Sequence, residues 1–260
     1  MTALTVDIER KSFPLNGGEI AVLEGLRFSV AAGEFVCILG PSGCGKTTTL
    51  NLIAGLDKDF TGEIRRGEEI ADKRTGYVFQ TPRLLPWRSV IDNILLATGE
   101  GVEQRAAVTR LLKEVGLAGF EHAFPGQLSL GMQRRASLAR AFAIDPGLLL
   151  MDEPFVSLDE ATAIRLRALL LTLWRERPVT VLFVTHDSRE AVQLGHRLLV
   201  LSAGPARLTA DLRVPLTVEE RADPSAVEAF RKEKLSFLTE QRAPEGGTQY
   251  DGRMIRGIRP

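Results

Sequence analysis

Gly40-Pro41-Ser42-Gly43-Cys44-Gly45-Lys46-Thr47-Thr48 fits G-x-x-x-x-G-K-[ST], the spacing of a phosphate-binding loop. Glycines let a backbone wrap an anion in conformations that a side chain forbids. Successive N–H groups then point inward at the positive end of a helix. In such a loop Lys46 reaches the β- and γ-phosphates of a nucleotide, the Thr47 hydroxyl is placed for Mg²⁺, and Thr48 supports the phosphates beside it. A glycine turn that matches by accident is the alternative. The apolar run Phe35–Leu39 before the loop and the helix-like stretch Thr47–Leu56 after it disfavour that reading.

Further along, Leu148-Leu149-Leu150-Met151 delivers two carboxylates, Asp152 and Glu153, to the end of a buried strand, and Pro154 ends it. Asp152 suits Mg²⁺, directly or through water. Glu153 suits a general base that polarises an attacking water. An acidic turn after a strand is the plainer reading, and the phosphate loop upstream favours the catalytic one. Gln80 and His186 also stand at the ends of apolar strands, Thr75–Phe79 and Val179–Val184. Ligands of α/β sheets bind outside such carboxyl ends. Gln80 can hold Mg²⁺ or a water there, or be a solvated loop residue. His186 can bond a γ-phosphate and position water, or be a satisfied structural histidine. Phe13 is either an adenine-stacking ring or a core aromatic.

The elements that position these residues follow from patterning. Leu4–Ile8, Ile20–Leu26 and Arg27–Val30 read as strands, the last two separated by Glu24-Gly25, with a turn over 16–19. They predict an antiparallel β subdomain ahead of the phosphate loop. Gly62–Ile64 reads as a strand with a turn at Gly67-Glu68; Asp92–Leu96 and Glu103–Val115 read as helices. Thr81-Pro82-Arg83-Leu84-Leu85-Pro86-Trp87-Arg88 is too apolar for a plain loop; it is a docking surface or a satellite cluster folded onto the body. Ser129 is a good N-cap for a helix running to Ile144. Arg134 and Arg135 near its start are an oddity, since helix starts prefer acidic residues, and an anion would suit that N-terminus. Ala161–Arg175 reads as a helix, Arg197–Leu201 as a last strand, and Ser225–Leu238 as an amphipathic helix. Residues 243–260, with few apolar side chains, are expected to be disordered.

Bulk properties narrow the class. The chain has 260 residues, 44% hydrophobic and 25% charged, with formal net charge +0. That is ordinary for a globular protein with a substantial core, and it supplies no basic field for nucleic acid. Cys37 and Cys44 lack metal-ligand spacing, and a disulfide between them would distort the loop, so reduced thiols are expected. The charged stretch Met1–Lys11 does not read as a signal peptide, and no apolar run spans a bilayer. A membrane role is therefore expected to be peripheral.

Taken in order, the phosphate loop, strand-end glutamine, Leu-Ser-x-Gly helix start, Asp-Glu strand end, Ser157-Leu158-Asp159 and strand-end histidine resemble the ATP-binding subunit of an ABC transporter over about residues 4–202. The resemblance implies an α/β fold: a P-loop NTPase cassette with a RecA-like core, an N-terminal antiparallel β subdomain and an α-helical signature subdomain (about 81–145). Residues 203–242 would form a C-terminal extension. It implies ATP and Mg²⁺ as ligands. Phe13 would stack on adenine, Gly40 to Thr48 would be Walker A, Gln80 the Q-loop, Leu128–Met132 the signature, Asp152 and Glu153 Walker B with its base, Asp159 the D-loop and His186 the switch histidine. Catalysis would fall to Glu153, His186, Lys46 and Gln80, and Mg²⁺ to Thr47, Gln80 and Asp152. In an ATP-bound head-to-tail homodimer, Ser129, Gly131 and Asp159 would serve the other subunit's nucleotide.

The signature departs from Leu-Ser-Gly-Gly-Gln at Leu130 and Met132. Leu130 is expected to weaken close backbone approach to the γ-phosphate, while Ser129 and Gly131 remain. Leu84-Leu85-Pro86-Trp87-Arg88 followed by Val90-x-Asp92-Asn93 resembles the nitrate, sulfonate and taurine importer group. That implies a place on the cytoplasmic face of the membrane, permease subunits docking near Gln80 to Trp87, and an indirect partner in a periplasmic substrate-binding protein. An exporter ATPase and a soluble ABC ATPase of repair or translation are the alternatives. The latter generally need coiled coils, zinc modules or a second cassette, which this sequence lacks.

Overall fold

The structure, a computed structural model, describes residues 1–15 and 17–236. Asn16 of the expected first turn, Phe237 and Leu238 of the expected last helix, the end of the expected 203–242 extension, and the whole expected disordered segment 243–260 lie outside the described residues.

Two sheets share the architecture. The smaller one has the order β2-β1-β4 and is antiparallel, from β1 (Thr2–Leu15), β2 (Gly18–Ala31) and β4 (Thr61–Arg66). The larger has the order β5-β6-β7-β3-β8-β9, from β3 (Phe35–Leu39), β5 (Thr75–Val78), β6 (Leu148–Asp152), β7 (Thr180–Thr185), β8 (Arg197–Leu201) and β9 (Leu208–Arg213). All of its neighbours pair in parallel except β8 with β9. Every residue of β3, β6 and β7 is buried. That is why these strands read as unbroken apolar runs: both faces of a central parallel sheet are covered. Phe35, Leu149 and Phe183 face one hydrophobic cluster, and Val36, Leu150 and Leu182 face the other.

The helices are α1 (Lys46–Ile53), α2 (Glu68–Ala71), α3 (Val90–Thr98), α4 (Val102–Glu114), α5 (Leu130–Phe142), α6 (Glu160–Glu176), α7 (Ser188–Leu194), α8 (Val218–Ala222) and α9 (Pro224–Lys234). Between β5 and β6 the chain is helical, with α3, α4 and α5 packed together. No helix among the described residues is long and apolar enough to cross a membrane.

Several expectations are corrected. The strands expected on either side of Glu24-Gly25 are one strand, because Gly25 adopts φ +62 and absorbs the bend while both flanks stay paired with β1. Strand β1 runs on through Pro14: β4 pairs with it only as far as Arg10, so the missing N–H of Pro14 costs no bond to β4. The small sheet is not wholly ahead of the phosphate loop either, since β4 closes it from the far side of α1. The turn expected at Gly67-Glu68 caps a short helix, α2. Strand β9 and helix α7 escaped the sequence reading. Strand β9 does carry a strand pattern, since Leu208, Ala210 and Leu212 alternate strictly with Thr209, Asp211 and Arg213, whereas α7 has only two turns.

Candidate functional site

Strand order decides what meets what. With β5, β6, β7 and β3 adjacent and parallel, the residues leaving their carboxyl ends lie side by side: Gln80, Asp152-Glu153, His186 and the loop from Gly40. The loop needs its glycines. Gly45 holds φ +108 as the residue before α1, and a Cβ there would lie 2.7 Å from Leu23 Cδ2 and 2.9 Å from Val22 Cγ1. A Cβ on Gly40 would lie 2.8 Å from Cys44 Sγ. Around this loop opens a cleft of about 390 Å³, with Phe13, Lys46, Thr47, Thr48, Gln80 and Glu153 in its wall.

Lys46 is buried and donates to the carbonyls of Gly40 and Pro41, both at 2.9 Å. Ser42, Gly43 and Gly45 line the cleft. Gly40 and Pro41 instead line a neighbouring cavity toward α9, and Cys44 is buried with its thiol pushed up by burial. Cys37 and Cys44 are both free thiols. Phe13 is partly exposed on the cleft wall, with the buried Lys11 ammonium 4.6 Å from its ring centroid, so it is not a core aromatic.

The carboxylates are held tightly. Thr47 Oγ1 donates to both oxygens of Asp152, at 3.1 and 2.9 Å. Burial raises the Asp152 pKa, and the Thr47 hydrogen bond opposes that shift. Glu153 Oε1 lies 3.8 Å from Lys46 Nζ, and its Oε2 lies 3.0 Å from His186 Nδ1. The backbone of Glu153 has φ +42, a conformation that costs about 1–3 kcal/mol in a non-glycine residue. Its N–H donates to Val184 O at 3.0 Å, so the sheet ladder holds it there and the side chain turns toward the cleft. Gln80 is exposed on the cleft wall.

A second group stands apart. Ser129 caps α5 by accepting from Met132 N at 3.3 Å, and Asp159 caps α6 by accepting from Thr162 N at 2.9 Å. A Cβ on Gly131 would lie 2.9 Å from Thr162 Cγ2, so the two helix starts abut. Leu130 is 39% exposed beside them. None of Ser129, Gly131 or Asp159 lines the cleft.

Three side chains fix the segments on either side of Gln80 through bonds to distant main chain that no sequence pattern shows. Asn93 is fully buried and grips the loop: its Oδ1 accepts from Leu85 N at 2.6 Å, and its Nδ2 donates to the carbonyls of Leu85, Arg88 and Ser89. Arg140 donates to the carbonyls of Arg83 and Pro82 at 2.8 and 2.9 Å. Arg134, the oddity at the helix start, is buried and donates to Phe79 O at 3.2 Å. The apolar segment itself divides: Leu84 packs on the core, whereas Trp87 is 71% exposed.

Known proteins carry the same pattern. The sequence profile of the ABC transporter family matches residues 23–156. The chain is 42% identical over 226 residues to the aliphatic sulfonates import ATP-binding protein SsuB 2 of Burkholderia lata, covering 85% of this chain and 81% of that protein. It is 39% identical over 240 residues to the SsuB protein of Bacillus cereus, covering 89% and 95%. A dimeric ATP-binding cassette solved in a post-hydrolysis state bound to ADP and Pi superposes with a TM-score of 0.70, at 29% identity, over 82% of this chain and all of that one.

Proposed function

This chain belongs to the ABC transporter family as an ATP-binding, ATP-hydrolysing cassette, and from that premise we propose that it powers import of a small anion of the sulfonate, taurine or nitrate class. The observation that carries the reading is the row of strand ends: a phosphate loop, a Thr47–Asp152 pair and a Glu153–His186 pair, with Thr47 and Glu153 in the wall of one cleft and His186 in that of the cavity beside it. The import direction and the sulfonate class rest on what the relatives are named for. Those names also disfavour the exporter alternative.

The chemistry follows from the contacts. Phe13 offers its partly exposed ring to adenine, and the loop N–H groups with Lys46 hold the phosphates. Glu153, fixed by Lys46 on one side and His186 on the other, takes the proton of the attacking water as the bond to the γ-phosphorus forms and ADP leaves. His186 holds Glu153 in place through Nδ1. The Thr47 hydroxyl, the Asp152 carboxylate and the Gln80 carboxamide are hard oxygen donors of the kind Mg²⁺ takes. These three side chains would hold Mg²⁺ beside the phosphates. Bound there, Mg²⁺ neutralises charge on the phosphates.

Ser129, Gly131 and Asp159 serve the nucleotide of a second copy. Two copies closing head to tail put the helix N-terminus at Ser129 of the partner subunit against the γ-phosphate, which supplies N–H donors and a favourable dipole. Hydrolysis removes the charge that holds the copies together. The exposed Trp87 after Gln80 supports docking to a permease at the cytoplasmic face of the membrane, with the permease and a periplasmic binding protein selecting the substrate.

The test is to purify the chain with its copurifying membrane subunits and place the complex in liposomes with ATP inside. ATP-dependent accumulation of a labelled alkanesulfonate, abolished by Glu153→Gln, is the expected result. ATP-dependent efflux, or no membrane partner at all, contradicts it.

A further inference from the structure

Arg134 has no role in the mechanism above, yet it is only 5% exposed. Burying a guanidinium is costly unless its charge and donors are used. Among the described residues no carboxylate offsets it: burial alone perturbs the group. Its donors go to main-chain carbonyls instead. Nη1 donates to Phe79 O at 3.2 Å, Nη2 to Val156 O at 3.5 Å, and Nε has no partner. Those two carbonyls belong to segments that carry chemistry. Phe79 directly precedes Gln80, and Val156 lies between Glu153 and Asp159. Arg134 itself lies on α5, whose first turn carries Ser129 and Gly131. One side chain therefore touches the Gln80 segment, the Glu153–Asp159 loop and the Ser129 helix. Arg140, farther along the same helix, holds Pro82 O and Arg83 O on the other side of Gln80.

We infer that Arg134 is a positioning residue that couples the subunit's own nucleotide cleft to the face it offers the second copy. The inference rests on the shared-site reading above. A shift of Gln80 or of the Glu153 loop on nucleotide binding pulls a carbonyl that Arg134 holds. A buried guanidinium whose donors have no other outlet cannot release that carbonyl cheaply. The movement passes to α5 as a rigid element, and with it to Ser129. Packed elements with two discrete arrangements transmit shifts in this way, whereas a solvated side chain would not.

The experiment is steady-state ATP hydrolysis by the full chain, wild type against Arg134→Met, with the Hill coefficient for ATP, KM and kcat read separately. In the wild type the two shared sites give a Hill coefficient above one. For Arg134→Met the Hill coefficient falls to about 1. Its kcat drops about ten- to a hundredfold through misplacement of Gln80 and Glu153. ATP binding by the monomer stays unchanged, because the phosphate loop and Phe13 are untouched. Arg134→Lys keeps a buried cation but gathers its donors on one nitrogen, which cannot reach both carbonyls as the fork does, so it retains part of the cooperativity, and it serves if the methionine variant does not fold. In a cycle with Gln80→Ala the two losses in kcat are less than additive. A purely structural Arg134 would lower the melting temperature with the Hill coefficient intact and the cycle additive, and that overturns the inference. A wild-type Hill coefficient of about 1 together with no ATP-dependent dimer overturns the shared-site reading itself. An ATP-dependent dimer with an unaffected Hill coefficient in Arg134→Met overturns the coupling alone.

Discussion

The cleft and the Ser129 face are built from equally ordinary parts, but only one of them is assembled within the chain. At and beside the cleft, side chains from three strand ends already touch: Thr47 with Asp152, Lys46 with Glu153, and Glu153 with His186. At the other face, Ser129 and Asp159 spend their oxygens capping their own helices and meet nothing of the cleft. A helix N-terminus whose cap is satisfied still presents free N–H groups and a positive dipole. On the function proposed above, the difference teaches that half of the site would come from folding and half from association.

The largest effect that sharpens this contrast is in the assembled half. Glu153→Gln should lower kcat about 100- to 10,000-fold while leaving ATP binding intact, measured by phosphate release against nucleotide titration. Hydrolysis at the wild-type rate would remove Glu153 as the base. Next comes the other half. Ser129→Arg should cut hydrolysis by about a hundredfold or more, the scale of losing a preorganised donor at a developing charge, with monomer ATP affinity kept. If it weakened monomer binding instead, the two regions would not be separable.

A smaller effect belongs to Phe13. Replacing it with alanine should weaken ATP on the order of tenfold, since base–aromatic stacking is worth about 1–3 kcal/mol, without changing dimer closure once ATP is saturating. The smallest concerns stability. Glu190, on α7 behind His186, is buried; the Thr185 hydroxyl and Arg167, the latter at 3.8 Å, favour its charged form, while Asp187 and His186 lie beside it. Burial pushes its pKa from 4.5 up to about 7. A native acid with a raised pKa holds its proton more tightly when folded. Its contribution to stability is therefore full below pH 4.5 and is lost as the pH rises to about 7. Glu190→Gln should raise the melting temperature at pH 8 by about 3–6 °C and leave it unchanged at about pH 3.5. Calorimetry at both values checks it.

The chemistry-bearing residues were legible because each follows an apolar run, and parallel sheets put such ends together whatever the connections are. The phosphate loop, Gln80, the Asp152-Glu153 pair and His186 were read that way. What was hidden lies in contacts between a side chain and a distant backbone. Arg134 meets Phe79 O across 55 positions and Arg140 meets Pro82 O across 58, and a carbonyl carries no residue type for a pattern to match. Asn93 was visible as part of a resemblance, but its grip on the loop was not. Strand β9 was legible as well, because one solvated face makes Leu208, Ala210 and Leu212 alternate with Thr209, Asp211 and Arg213.

The central claim is that association completes the site. Glu153→Gln, sized with and without ATP and Mg²⁺, tests it most directly, because a cassette that cannot hydrolyse stays closed. The account predicts a dimer only when nucleotide is present, and its disappearance when Ser129→Arg is added. A monomer in every condition with ATP bound, or a dimer indifferent to nucleotide and to Ser129, would contradict it.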